Sequence, residues 1–307
     1  MTTHSTTFQS IVAATMLLVL AGCGSSSDPA EQTGFLSLGI SDGPIDAKKV
    51  CIAFNAVELK GKGAPFVVDP GGVQNINLLD FQGANAAPLL FNEELDAGEY
   101  QWLRLGVNAE SGGTGGTGDD PASSLCVGDA SYVTLNDGTT RNLYIPSGAE
   151  SGLKLVNGFT IPANATANYT AEIDLMLSMK DPIEPEADAK LRPTVRLVNN
   201  IEVGTLTGDV VLPEGDCPTP SVYVFDEGIT PNPIETGDTV DASDPIATAM
   251  VEERDNGVDP VTYDYTVGFQ LTGNYVAAFT CDAENFDPIY GKEAKISAVN
   301  VTTVSFD

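Results

Sequence analysis

Carboxylates are the side chains of this chain best suited to chemistry, because imidazole is almost absent. The sequence holds a single histidine, His4, within a segment that we expect to be cleaved from the mature protein. Without imidazole there is no Ser-His-Asp or Cys-His nucleophile, no imidazole general base and no His-ligated zinc or copper site. An enzyme would have to use carboxylates, a Ser-Lys pair or an oxygen-ligated metal.

Six carboxylates form two groups, each close to a cysteine and each in a stretch that is typical of a loop. The first group is Asp119, Asp120 and Asp129, near Cys126, and the second is Asp282, Glu284 and Asp287, after Cys281. Carboxylate and backbone carbonyl oxygens are the ligands that calcium prefers. The sequence contains neither an EF-hand pattern nor a nonapeptide repeat. Two interpretations stay open for each group, a weak calcium site and a solvated acidic loop, and no cofactor other than calcium is indicated.

Two further motifs match active-site signatures in letters but not in context. Residues 113–118 read GTGGTG, a literal GxGxxG, yet Asp119, Asp120 and Pro121 follow where a dinucleotide site needs the N-terminus of a helix. Ser151 and Lys154 match the SxxK of Ser-Lys acyl enzymes, but neighbouring glycines and an apolar run favour a turn and a strand over the required helix. We therefore interpret both motifs as loops.

Aromatic residues at alternate positions offer a third kind of chemistry, the stacking of sugar rings. These residues are Tyr100 and Trp102 in the first half of the chain, and Tyr263 and Tyr265 in the second. Alternate aromatic residues in strands more often belong to the core. The sequence does not distinguish the two faces of these strands.

The cysteines indicate an exported protein with two disulfides. Cys23 ends the leader described below, and the other four are Cys51, Cys126, Cys217 and Cys281. Four cysteines allow three pairings. Because each half of the chain holds two, and disulfides are the rule in exported proteins, we predict Cys51 with Cys126 and Cys217 with Cys281. The spacings are too long for a CxxC redox or metal motif.

The amino end resembles the signal peptide of bacterial lipoproteins. An apolar run over 11–21, too short to span a bilayer, closes on the sequence LAGC at 20–23. This lipobox resemblance implies that residues 1–22 are removed and that Cys23 carries the lipid. The segment before the run departs from the usual pattern, because it has no Lys or Arg.

The residues after Cys23 are expected to tether the folded part to a membrane. Residues 23–33 are mostly small and polar and include a proline, as in a flexible linker. Gly24, rather than Asp, follows the cysteine, which in lipoproteins of this type implies sorting to the outer membrane. We therefore predict an outer-membrane protein, lipid-anchored on the periplasmic or cell-surface face.

The net charge excludes one class of partner. The chain has 14 Lys and Arg against 43 Asp and Glu, a formal net charge of −29, and none of these residues precedes Cys23. Such a field repels phosphate backbones and anionic head groups, which bind clustered Lys and Arg. We expect no nucleic-acid partner. The sequence is compatible with three partners: the membrane, bound through the lipid, an envelope protein, and an envelope glycan.

Strand-like runs separated by turn residues fill both halves of the chain. The runs cover 34–42, 49–60, 99–109, 131–135, 141–146, 153–162, 168–179 and 192–203, then 204–212, 221–227, 245–253, 262–271, 274–281 and 295–306. Asn136 to Gly138 is a hairpin signal between two of them, and only 76–81 and 83–90 are helix candidates. The sequence therefore predicts an all-β fold of two antiparallel β-sandwich domains, 34–203 and 204–307.

The first of these domains resembles the DUF4382 family, exported bacterial and archaeal proteins without an established activity. The matching segments are Gly34 with 40–44 (ISDGP), 95–100 (LDAGEY), 143–148 (LYIPSG), 152–155 (GLKL), 173–175 (IDL) and 191–196 (LRPTVR). The family offers no catalytic residues to carry over. The second domain is similar to transthyretin-like, carboxypeptidase-regulatory β-sandwiches, through 204–210 and 271–275. That resemblance implies a support or interaction module.

These observations predict a noncatalytic envelope lipoprotein that acts as a structural or interaction module. A calcium-dependent adhesin or a glycan-binding protein is the alternative. An envelope hydrolase that uses Ser151 and Lys154, or paired carboxylates, is a third hypothesis.

Overall fold

Nearly all of the regular secondary structure in the described residues is β-strand, as the sequence predicts. The structure, a computed structural model, describes residues 32–43, 45–146, 152–179, 188–231, 244–254, 262–283 and 287–307. Gln32–Asp307 form one compact unit. The signal peptide, Cys23 and most of the tether lie outside the described residues, so they stay predictions. No helix in the described ranges is both long and apolar enough to cross a membrane.

Fourteen strands precede residue 200. They are β1 (Thr33–Gly43), β2 (Lys49–Lys60), β3 (Phe66–Val68), β4 (Gln74–Asn77), β5 (Ala87–Asp96), β6 (Gly98–Tyr100), β7 (Trp102–Val107), β8 (Tyr132–Thr134), β9 (Thr140–Tyr144), β10 (Leu153–Leu155), β11 (Phe159–Ile161), β12 (Thr166–Asp174), β13 (Ala189–Lys190) and β14 (Thr194–Asn199). A 3-10 turn, Leu78–Asp80, and a short helix α1, Leu175–Ser178, interrupt them.

These strands form a first sandwich around one hydrophobic core. One sheet has the order β14-β12-β1-β5, and the other has the order β10-β7-β2-β8-β9-β13, with β3 and β4 also paired to β2. Leu36, Leu38 and Ile40 of β1 are buried in the same cluster as Leu103 and Leu105 of β7. Alternation of buried and exposed positions along both strands therefore sets which face of each sheet meets the core.

The remaining strands form a second sandwich. They are β15 (Val203–Val210), β16 (Ser221–Asp226), β17 (Ala247–Met250), β18 (Glu252–Arg254), β19 (Thr262–Leu271), β20 (Gly273–Thr280), β21 (Tyr290–Ile296) and β22 (Val301–Thr303). The two sheets have the orders β18-β19-β15-β22 and β17-β16-β20-β21. Their core joins Leu206, Val222, Phe279 and Phe306. No strand is shared with the first sandwich, although the predicted boundary at 203/204 stays a prediction.

Three strand pairs differ from the antiparallel pattern that the sequence predicts. β1 pairs with β12 in parallel, β9 pairs with β13 in parallel, and β15 pairs with β22 in parallel. The two strands of each pair are distant in sequence, so no turn motif indicates whether they run parallel or antiparallel. The second helix candidate, 83–90, is also wrong in part, because its last four residues begin β5.

Local signals in the sequence are confirmed at two places. β8 and β9 pair as a hairpin whose turn holds Gly138 at a φ of +86°, a conformation that favours glycine. Cys51 is bonded to Cys126, and Cys217 is bonded to Cys281, with Cα atoms 5.8 and 4.5 Å apart respectively. The first bridge ties an irregular segment to β2, and the second ties one to the residue just after β20.

Candidate functional site

A buried ion pair lies beneath the first acidic loop. Lys49, at the start of β2, places its Nζ 2.5 Å from Oδ1 of Asp119, and the two side chains are only 1% and 0% exposed. Tyr132 and Thr134, both on β8, donate hydroxyl hydrogen bonds of 2.9 Å to the Asp119 carboxylate. The ammonium of Lys49 also donates to the carbonyl of Asp120 at 3.0 Å. The carboxylate is therefore fully engaged inside the protein.

The surroundings of Asp119 keep this pair ionised. Burial by itself would raise the pKa of Asp119, but hydrogen bonds from Lys49, Tyr132 and Thr134, together with the charge of Lys49, hold it below the usual value. A carboxylate in this setting stays charged down to acidic pH. The loop is thereby fixed to β2 and β8 by charge as well as by the Cys51–Cys126 bridge.

The three carboxylates of the first acidic group have different surroundings. Asp119 neutralises Lys49, Asp120 accepts a hydrogen bond from the backbone N–H of Ala122, and Asp129 is exposed, with its backbone carbonyl accepting from Asn108. Within the described ranges no three His, Cys, Asp or Glu side chains come close enough to hold a metal ion. Asp119 therefore acts as the counter-ion of Lys49, since burial demands a charged partner, and calcium binding by this acidic group stays a prediction.

The second acidic group is only partly described. Glu284 lies outside the described residues. Asp282 and Asp287 donate their backbone N–H groups to the hydroxyl of Thr280, at 3.2 and 3.4 Å, which closes the loop after β20. A calcium site there stays a prediction.

The GTGGTG segment is fully described, whereas only part of the Ser-Lys motif is. In the GTGGTG segment, a Cβ on Gly115 would lie 2.1 Å from the carbonyl oxygen of Ser131, so this glycine lets the loop pack against the start of β8. The segment runs as turns and no helix follows it. Ser151 lies outside the described residues, and Lys154 stands exposed on β10. The loop interpretation of residues 113–118 therefore agrees with the structure.

A second buried polar cluster lies where the two sandwiches meet. Asp42 ends β1, Glu172 and Asp174 end β12, and Arg196 on β14 forms an ion pair with Glu172. These carboxylates are 3%, 9% and 7% exposed respectively. From the second sandwich, the hydroxyl of Thr248 donates to Asp174 at 3.3 Å. Three buried acidic side chains thus lie in one cluster with Arg196, which pairs with Glu172 and is itself 25% exposed.

The excess of carboxylates has an electrostatic consequence. Burial raises the pKa of Asp174 to about 6, and the charge of Glu172 adds to the effect. Burial and the charge of Asp174 raise the pKa of Asp42 well above its usual value, and burial raises that of Glu172 despite Arg196. Oδ2 of Asp42 has no hydrogen-bond partner in the described structure. The cluster therefore favours protonation and makes the junction sensitive to pH.

A group of accessible polar side chains of the first sandwich lies on the outward face of strands β10, β7, β2 and β3. We call this face the Trp102 surface, and it consists of Glu58, Lys60, Val67, Trp102, Arg104 and Lys154. Register places Lys60 beside Trp102, Glu58 beside both Arg104 and Val67, and Lys154 beside Arg104. Paired residues point to the same side of a sheet. The alternate residues, Leu59, Leu103 and Leu155 among them, are buried in the core.

Positive charge surrounds the single tryptophan of the chain. Nζ of Lys154 lies 4.6 Å from the centre of the Trp102 ring, and Cζ of Arg104 lies 5.2 Å from it. Arg104 is also 3.0 Å from Glu58, but its Nε is buried without a hydrogen-bond partner in the described structure. Lys154 forms no ion pair with a described carboxylate. The surface thus carries three cations against one carboxylate.

The other aromatic residues considered for sugar stacking do not join Trp102. Tyr100 is buried and stacks on Phe159 at 5.0 Å, and Tyr265 is buried with its hydroxyl donating to the carbonyl of Val304. Tyr263 is half-buried in the second sandwich. Tyr100 and Tyr265 therefore belong to the core, the interpretation that strand alternation favoured, and Trp102 is the accessible aromatic residue of this set on the first sandwich.

Sequence comparison assigns the first sandwich to a family. The model of a domain of unknown function, DUF4382, matches residues 33–193, which is more than half of the chain. The chain belongs to the DUF4382 family. No curated protein matches the chain in sequence. The DUF4382 match ends within the first sandwich, so the transthyretin-like character of the second stays a prediction.

Solved structures add little to this DUF4382 assignment. The Bacillus anthracis TIE protein is 11% identical, aligned over 90% of this chain and 34% of its own, with a TM-score of 0.21. The minor pilin GBS52 of Streptococcus agalactiae is 10% identical, aligned over 88% of this chain and 94% of its own, with a TM-score of 0.19. A Parabacteroides distasonis protein described as a putative cell adhesion protein is 10% identical, aligned over 90% of this chain and 95% of its own, with a TM-score of 0.21. The chain spans about a third of the length of the TIE protein. Scores this low carry no argument about function.

Proposed function

We propose that this protein is a noncatalytic lipoprotein of the bacterial envelope that acts as an interaction module. A lipid on Cys23 holds it to the outer membrane, and the Trp102 surface binds its partner. The observation that carries the proposal is an accessible tryptophan beside an unpaired lysine, on a rigid sheet face of a chain whose net charge is −29. Accessible tryptophan and arginine side chains that a partner then buries dominate binding energy at interfaces.

The placement of the other reactive groups supports a role without catalysis. Lys49 and Asp119 are a closed ion pair, and the three carboxylates at the sandwich junction are buried against Arg196 and Thr248. A catalytic group must reach its substrate within hydrogen-bonding distance. Groups that are committed to holding strands together do not meet that requirement.

Anchoring is tested by replacing the lipidated cysteine. We expect Cys23→Ala to abolish fatty-acid labelling and to move the protein from the membrane pellet to the soluble fraction, because one thiol carries the lipid. Metabolic labelling with palmitate and cell fractionation measure both effects. Ser25→Ala, in the same tether, should leave them unchanged. A Cys23→Ala protein that is still labelled and still in the membrane would refute the anchor.

Binding through the Trp102 surface is tested on isolated envelope fragments. In the Cys23→Ala background, which removes the contribution of the lipid, we expect Trp102→Ala to weaken sedimentation with the fragments at least tenfold, since an aromatic anchor contributes about 2 kcal/mol or more.

Two further variants make that result specific. Phe91→Ala removes another exposed aromatic residue, on β5, where the side chain is 81% exposed, and should change nothing. Lys154→Gln preserves the tryptophan and should also weaken sedimentation. If Trp102→Ala and Lys154→Gln both sediment as the parent protein does, the Trp102 surface is not the binding face.

A further inference from the structure

We infer that the Trp102 surface binds an acidic polysaccharide, with Trp102 stacked against a sugar ring and Lys154 and Arg104 paired to its anionic group. This inference rests on the proposed function and names the class of partner. It follows from three features of the surface, namely its charge, its size and the position of the cations relative to the indole.

The first feature is charge that contrasts with the rest of the chain. The chain as a whole carries 43 acidic residues and 14 basic ones, yet the Trp102 surface presents Lys60, Arg104 and Lys154 with Glu58 as its one carboxylate. Complementary potentials favour an anionic partner at such a place. The ammonium of Lys154 contacts the indole ring and no carboxylate of the described residues, so it is available to pair with an anion.

The second feature is the small area of the surface. Four neighbouring strands span about 14 Å across the sheet, and Trp102 and Arg104, two residues apart on β7, span about 7 Å along it. The resulting patch, on the order of 100 Å², is far below the roughly 800 Å² that each partner buries in a stable protein complex. A flat strip that is longer across the strands than along them fits a short stretch of a linear chain better than it fits a folded protein.

The third feature is the juxtaposition of an apolar ring with cations. Lys154 and Arg104 lie 4.6 and 5.2 Å from the indole centre, and Nε of Arg104 is buried without a partner in the described structure. An acidic sugar carries C–H groups and an anionic group within a single ring, so one unit satisfies both the aromatic face and the cations. A neutral sugar would leave the cations without a partner.

A lipid head group is the competing anionic partner, and the structure favours the polysaccharide. The described face presents Val67, 62% exposed, as its only strongly exposed apolar side chain beside Trp102. Membrane-surface binding scales with apolar area and with clustered positive charge.

The single tryptophan makes the test direct. The Cys23→Ala protein is titrated with tetragalacturonate, with the neutral cellotetraose, and with vesicles of phosphatidylethanolamine and phosphatidylglycerol, while Trp102 fluorescence is recorded. We expect a saturable emission change with tetragalacturonate alone, weakened severalfold between 0.05 and 0.5 M salt because screening grows. Lys154→Gln, which keeps the fluorophore, should raise the apparent Kd about tenfold, the usual effect of a lost charged hydrogen bond.

Lys48→Gln is the matched control, because it removes an exposed lysine just before β2, at the end of that strand opposite Lys60. It should leave the tetragalacturonate titration unchanged. An equal response to cellotetraose, a response to vesicles but not to tetragalacturonate, or no response to any probe would each overturn the inference. In all three cases the proposed function still stands if Trp102→Ala lowers binding to envelope fragments, and it falls if that binding is unaffected.

Discussion

Replacing Lys49 with methionine is expected to lower the free energy of unfolding by about 3–5 kcal/mol, the usual cost of removing one partner of a buried ion pair. Methionine fills a similar volume, so the loss reports charge rather than a cavity. Asp119 would keep the hydroxyls of Tyr132 and Thr134 but would lose its only cation while 0% exposed. Urea unfolding with the disulfides intact measures the difference.

The neighbouring lysine provides the control for that measurement. Lys48→Met removes an exposed ammonium one residue away and should change the free energy of unfolding by about 0.5 kcal/mol or less. Asp119 also contributes a pH dependence of definite sign. Because its pKa is lowered in the folded state, its stabilisation is present above the unfolded pKa and is lost as the pH falls through the folded value. A Lys49→Met protein as stable as Lys48→Met would show that the pair contributes nothing.

Replacing Asp174 with asparagine is expected to stabilise the protein at pH 7. The pKa of Asp174 rises from 3.8 to about 6 on folding, and a difference of about two units corresponds to about 3 kcal/mol. A raised carboxyl pKa stabilises the fold fully below the unfolded pKa, and this contribution is lost as the pH rises through the folded value. Asparagine stays neutral, so the gain of Asp174→Asn should appear between pH 4 and 6 and persist to pH 7.

The geometry at Asp174 makes asparagine a conservative replacement. Oδ1 of Asp174 accepts from the backbone N–H of Leu177 and so caps α1, a role that asparagine also fills. The matched control is Asp226→Asn, an exposed carboxylate at the end of β16, which should leave the pH profile unchanged. Thermal unfolding from pH 4 to 7 measures both variants. Equal destabilisation by Asp174→Asn at pH 4 and pH 7 would contradict a charge effect.

The sequence predicts the parts of the fold that depend on local patterns. Alternation along β7 predicts which of its residues face the core, the turn at Gly138 predicts the β8–β9 hairpin, and two cysteines in each half predict the two bridges. Each of these signals lies within one strand, one turn or one half of the chain. The all-β class follows from them directly.

The buried polar clusters could not be predicted in the same way. Asp42 and Asp174 lie within apolar strand runs and are 132 residues apart in the sequence. Only the parallel pairing of β1 with β12 brings the two strand ends together. Lys49 and Asp119 are 70 residues apart, and their pairing makes Asp119 a buried counter-ion. A charged residue inside an otherwise apolar strand was the available signal, since such residues are buried only with a partner.

The same limit applies to the Trp102 surface. Sequence alternation separates Trp102 and Arg104 from the buried leucines of β7, but it does not say that Lys60 and Lys154 lie beside them. Register between β10, β7 and β2 supplies that information. The Trp102 surface is therefore produced by strand pairing, and the sequence alone identified only its tryptophan as a candidate binding residue.

Quenching of Trp102 fluorescence by acrylamide, with and without envelope fragments, tests the binding face most directly, because selective excitation of tryptophan reports on that one residue. We expect the Stern–Volmer constant of the Cys23→Ala protein to fall when saturating fragments are added, as the partner covers the indole. A constant that stays the same while sedimentation shows the protein to be bound would place the partner elsewhere and refute binding through the Trp102 surface.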